Sequence, residues 1–91
     1  MTIVHLTKKH QLDDAQVRRE VQKLADRLAE DLSANYSWEE DRLIFKRTGV
    51  FGFVRLGEGE LEVEVKLNPL LSPLKGKIEK TVSAYLDERL A

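Results

Sequence analysis

Cysteine is absent from all 91 residues. That excludes a disulfide framework, a thiol nucleophile and any thiolate metal site, and it suits a reducing compartment. Long apolar runs are missing too, since no segment approaches the ~18 residues of a membrane span. The opening Met1–His10 has no apolar core of a signal peptide and no small-residue cleavage site. The expectation is a soluble, cytoplasmic chain without integral membrane association. Excess positive charge is lacking as well, with a net charge of −1 and a pI near 6.1. A dedicated nucleic-acid binder would carry a basic surplus to neutralise phosphates, so no nucleic acid is expected as partner.

What is present is ordinary for one soluble domain covering residues 1–91, with 42% hydrophobic and 34% charged residues. Repeats, low-complexity tracts and linker-like stretches are not found. Thr2–Lys8 reads as a short strand. Leu12 to Asp31 carries the clearest helical signal, with Val17, Val21, Leu24, Ala25, Leu28 and Leu32 forming one apolar stripe. Asp13 and Gln16 supply a capping-box pattern at its start, and Leu12 can staple onto Val17. Asn35 is the expected left-handed terminator. Arg18, Arg19, Lys23, Asp26, Arg27 and Glu30 read as a solvated face of mixed sign.

Four short strand-like runs follow, separated by turns at Glu39–Asp41, Thr48-Gly49 and Gly57–Gly59. Leu61, Val63, Val65 and Leu67 alternate strictly with Glu60, Glu62, Glu64 and Lys66, as in a half-buried antiparallel strand. A terminal helix over about Pro73–Leu90 places Leu74, Ile78, Val82, Tyr85, Leu86 and Leu90 along one side. Two amphipathic helices and a one-sided meander predict an α+β fold in the order β-α-β-β-β-β-α. A single antiparallel sheet of four to five strands would carry both helices on one face.

Chemistry is sparse. Nucleophilic catalysis needs a nucleophile beside a base, yet the only histidines, His5 and His10, have no nucleophile signature near them. His10 with Asp13 and Asp14 matches no ligand spacing for a metal, and a surface histidine ahead of a helix cap is the plainer reading. Glu60, Glu62 and Glu64 lack the cleft that would split their pKa values, so they read as a solvated strand face. Gly57-x-Gly59 is a hairpin, too short for a dinucleotide loop. No catalytic residue, metal or cofactor is expected, and the protein reads as a non-enzyme.

Two binding candidates remain. Ser72 suits an N-cap and Pro73 the first helical position. Lysines Lys75, Lys77 and Lys80 crowd a helix start where the dipole favours acids. Ser72, Lys75 and Lys77 could hold an anion there, against the simpler view that the lysines serve solubility. The second candidate is the pair Phe51 and Phe53. If Val50, Gly52, Val54 and Leu56 face the helices, both rings point away, beside the Glu60–Glu64 row. They then belong to a minor outer cluster with Ile44, or to an exposed docking or dimer patch. An inverted register would instead bury both.

At Leu70-Leu71-Ser72-Pro73-Leu74-Lys75-Gly76-Lys77-Ile78-Glu79 the chain resembles the polyhydroxyalkanoic acid system family of small bacterial proteins. The likeness runs through Ala15–Ala25, Tyr36-x-Trp38-Glu39, Asp41-Arg42-Leu43-x-Phe45, Gly49-Val50-x-Gly52 and the Leu61–Leu67 strand. Members usually carry a charged residue near Phe51 or Phe53, and this sequence departs there. The resemblance implies a link to polyhydroxyalkanoate, an intracellular polyester reserve, and carries over no catalytic residue. The leading expectation is a non-catalytic accessory protein of that storage system, meeting the granule surface, a granule-associated protein or a second copy of itself. The alternative is a carrier for an acyl chain or lipid in a cavity between sheet and C-terminal helix. An enzyme using an unrecognised site is the third reading.

Overall fold

In the computed structural model, residues 2–89 are described. The first strand, β1 (Thr2–Lys9), precedes helix α1 (Asp14–Leu32), and a meander follows of β2 (Asn35–Glu39), β3 (Arg42–Arg47), β4 (Val50–Gly57) and β5 (Glu60–Leu67). A 3₁₀ turn at Ser72–Leu74 leads into α2 (Lys75–Arg89). All pairings are antiparallel, in the sheet order β1-β5-β4-β3-β2. This is the expected α+β order with five strands. The weak first strand earns its place at an edge, where Thr2–Lys9 pairs with Leu67–Glu60 along its whole length.

Helix α1 forms where the sequence signals it. Asp13 Oδ1 accepts from the Gln16 N–H at 2.8 Å and the Gln16 side chain accepts from the Asp13 N–H at 3.4 Å, a complete capping box. The exit differs from expectation. Ser33, not Asn35, is the left-handed residue (φ 52). The Ser33 N–H donates to Glu30 O and the Ala34 N–H to Ala29 O, closing the helix as a Schellman turn. Asn35 is already extended, because it pairs with Lys46 in the sheet.

Two-residue loops join β2 to β3, β3 to β4 and β4 to β5, so the period-2 alternation passes from strand to strand without a slip. Val54, Leu43 and Val63 line up across one face, and so do Val50 and Leu67. Both helices cover that face. Val21, Leu24 and Leu28 of α1 join Ile78, Val82 and Leu86 of α2 and the strand residues in one buried cluster. The Tyr85 hydroxyl ties the helices together by donating to Glu20 at 3.2 Å. Leu90, expected in the α2 stripe, lies outside the described residues.

The entry to α2 corrects the capping expectation. Ser72 lies inside the 3₁₀ turn, and its hydroxyl donates back to Pro69 O at 2.9 Å instead of accepting from the helix. Pro73 is therefore the second residue of the turn. Asn68 takes the ordering role upstream. Its Oδ1 accepts from the Leu71 N–H at 3.0 Å, while its own N–H donates to Gly49 O at 2.9 Å. Gly49 sits at φ 85, and a Cβ there would collide with the Asn68 side chain. The β3–β4 turn and the β5–α2 turn thus need glycine at their contact.

Candidate functional site: the uncovered sheet face

The alternation that buries Val50, Gly52 and Val54 sends Phe51, Phe53 and Arg55 to the opposite face, so the inverted register is excluded. No element among the described residues covers that face. Its rows follow from the pairings. Asn35, Lys46, Phe51, Lys66 and Ile3 form one; Ser37, Ile44, Phe53, Glu64 and His5 form the next. The third holds Glu39, Arg42, Arg55, Glu62 and Thr7.

The two phenylalanines are not equivalent. Phe53 is half-buried and stands directly opposite Ile44, which is only 7% exposed although it faces away from the helices. Phe51 is 45% exposed. Its direct neighbours are the stems of Lys46 and Lys66, and a depression of about 550 Å³ opens beside it, bordered also by Val50, Gly49 and Asn68. The face therefore holds a small apolar cluster and one free ring.

The acidic row is partly neutralised. Glu62 accepts from Arg55 Nε at 3.0 Å and meets His5 Nε2 at 2.8 Å, and these bonds, His5 first, hold its carboxyl below the ordinary glutamate value. His5 is thus a surface partner of Glu62. His10 corrects the expectation of a surface histidine. It is buried, its Nδ1 accepts from the Leu12 N–H at 3.2 Å, and its Nε2 has no partner among the described residues. The connection from β1 to α1 folds inward because the His10 N–H donates to Gly59 O at 3.0 Å. Among the described residues no cluster of three or more acidic or histidine side chains could hold a metal.

At the start of α2, Lys75 Nζ stands 3.9 Å from Glu79 Oε1, Lys77 is exposed, and the Ser72 hydroxyl is engaged with Pro69. One cluster escaped the sequence reading. Asp26 accepts from the Tyr36 hydroxyl, which raises the tyrosine pKa. Trp38 Nε1 donates to Gln22 at 2.8 Å, and the Arg18 guanidinium lies 4.3 Å over the Trp38 ring while donating to Glu40 O. Part of the supposedly solvated helix face thus anchors edge strand β2. Only the alternation of Tyr36 and Trp38 hinted that β2 offered rings to α1.

No helix among the described residues is long and apolar enough to cross a membrane. No curated protein matches the chain. Residues 4–90 match the family model described as "Putative polyhydroxyalkanoic acid system protein", nearly the full length, from β1 into the end of α2. The chain belongs to that polyhydroxyalkanoic acid system protein family.

Proposed function

We propose that the protein is a non-catalytic accessory of the polyhydroxyalkanoate system that docks through the uncovered sheet face around Phe51 and Phe53. The observation that carries this reading is Phe51 itself, a ring 45% exposed on a sheet face that no helix among the described residues covers. Burying such a ring against a partner contributes about 1.5–3 kcal/mol, enough to separate casual from specific contact. The family membership supplies the polyester system. Its partner is then the granule surface or a protein on it, met in the cytoplasm, with a second copy of the chain as the competing occupant.

Non-catalytic work is supported by the disposition of the titratable groups. His5 is spent on Glu62 at the surface and His10 is walled off, so neither meets a nucleophile. The carrier alternative needs room between the sheet and α2. Val63, Val65, Ile78, Val82 and Leu86 fill that layer at 4% exposure or less, so no observation favours it.

A pull-down from polyester-accumulating cells, run beside non-accumulating cells, tests the proposal. The full chain should capture granule material only from the former, and Phe51→Ser should release it. Equal capture by both proteins would remove this face from the function, and a concentration-dependent dimer lost in Phe51→Ser would assign it to self-association.

A further inference from the structure

Three large apolar side chains stand exposed among the described residues, and all lie at one end of the sheet: Ile3, Phe51 and Leu70, the last 86% exposed. The register sets Ile3 opposite Lys66 and Lys66 opposite Phe51. Leu70 lies in the turn after β5, whose last residue, Leu67, pairs with the neighbour of Phe51, Val50. That turn is held by the Asn68 bonds to Gly49 and Leu71, so Leu70 projects from a fixed support.

The charges in the row of Ile3 and Phe51 are basic, and the first carboxylate stands one row further along the face. Lys46 and Lys66 flank Phe51 on strands about 10 Å apart, at two inter-strand spacings. Neither takes part in an ion pair among the described residues. Glu64, opposite Phe53, is the nearest carboxylate along the face, while Glu30 and Asp31 belong to α1 on the sheet's other side. At the far end Asp13, Asp14, Glu39, Glu40, Asp41, Glu58 and Glu60 outnumber Lys9, Arg18, Arg19 and Arg42, and Lys8 is paired with Asp87.

Separate apolar projections set among unpaired ammoniums suit a surface with an apolar interior behind an anionic layer. The side chains enter the interior, and the lysines stay at the level of the charged groups. A partner helix would instead want a continuous apolar groove, which the lysines interrupt here. We infer that the end of the sheet bearing Ile3, Phe51 and Leu70, rimmed by Lys46 and Lys66, rests on an anionic lipid surface. This deepens the docking reading, on which it rests, by naming the surface. The acidic far end turns the molecule so that the basic end leads.

Sedimentation of the full chain with vesicles tests it, using phosphatidylcholine alone or mixed with phosphatidylglycerol, and polyester particles stripped of lipid. The chain should pellet with the mixed vesicles, stay free of the neutral ones, and bind less as salt rises. Lys46→Glu with Lys66→Glu should lower binding about tenfold or more. Phe51→Ser with Leu70→Ser should lower it comparably, each variant melting as the parent does. No pelleting with the mixed vesicles overturns the inference, and so does binding indifferent to the Phe51 and Leu70 changes. Binding to stripped polyester alone would also overturn it while leaving the docking reading intact. Failure on every surface, together with a negative pull-down, would overturn both.

Discussion

Phe53 faces Ile44 directly across β3 and β4 on the side of the sheet away from both helices, and Ile44 is almost wholly buried there. A cross-strand pair of this kind is a packing unit in its own right. Ile44→Ala or Phe53→Ala should therefore cost about 1–3 kcal/mol, while Phe51→Ser should stay within roughly 0.5 kcal/mol of the parent. Chemical denaturation of the three variants checks this division. An equal loss at Phe51 and Phe53 would mean that the two rings form one cluster.

Leu28 anchors the main core from α1, at 1% exposure. Truncation to alanine should cost about 2–5 kcal/mol, as buried leucine deletions do. A near-neutral Leu28→Ala would contradict the packing of both helices on one sheet face.

The α2 entry offers a sharper contrast. Ser72→Ala removes a hydroxyl that donates to Pro69 O near solvent, and should change stability by no more than about 0.5 kcal/mol. Asn68→Ala removes one of the two acceptors of the Leu71 N–H, which keeps the Asn68 backbone oxygen at 3.1 Å, and should cost about 0.5–1.5 kcal/mol. Thermal melts of the pair distinguish the roles, and the reverse ranking would restore Ser72 as the cap.

Glu62 sets a pH response. Its carboxyl is held below the ordinary value by His5 and then Arg55. The folded state therefore gains stability from it above the unfolded glutamate pKa of about 4.3 and loses that gain as pH falls through the lower folded value. Glu62→Gln should flatten stability against pH in that acidic window. A parent and variant with identical acid profiles would contradict the assignment.

Much of the fold was legible because burial here follows simple periods. Strict alternation along β5 and the α1 stripe named the core residues, whereas the alternation along β4 left two registers open for Phe51 and Phe53, and the pairing settles them outside. Termini and turns were less legible, because several residues compete for one role through hydrogen bonds made by neighbours. Asn35 has the intrinsic left-handed preference, yet pairing with Lys46 draws it into β2 and leaves Ser33 to turn the chain. Ser72 has the capping hydroxyl, but a 3₁₀ turn inserts before α2. The burial of His10 depends on a contact with Gly59 that no local pattern announces. The inequality of Phe51 and Phe53 rests on which residue each faces across β3, which only the register reveals.

Docking through the uncovered sheet face is tested most directly by binding of the full chain to isolated polyester granules, measured for the parent and for Phe51→Ser at matched melting temperature. The parent should bind saturably and the variant should lose at least about tenfold in affinity, the equivalent of the lower end of one buried ring. Indistinguishable binding curves would contradict docking through this face.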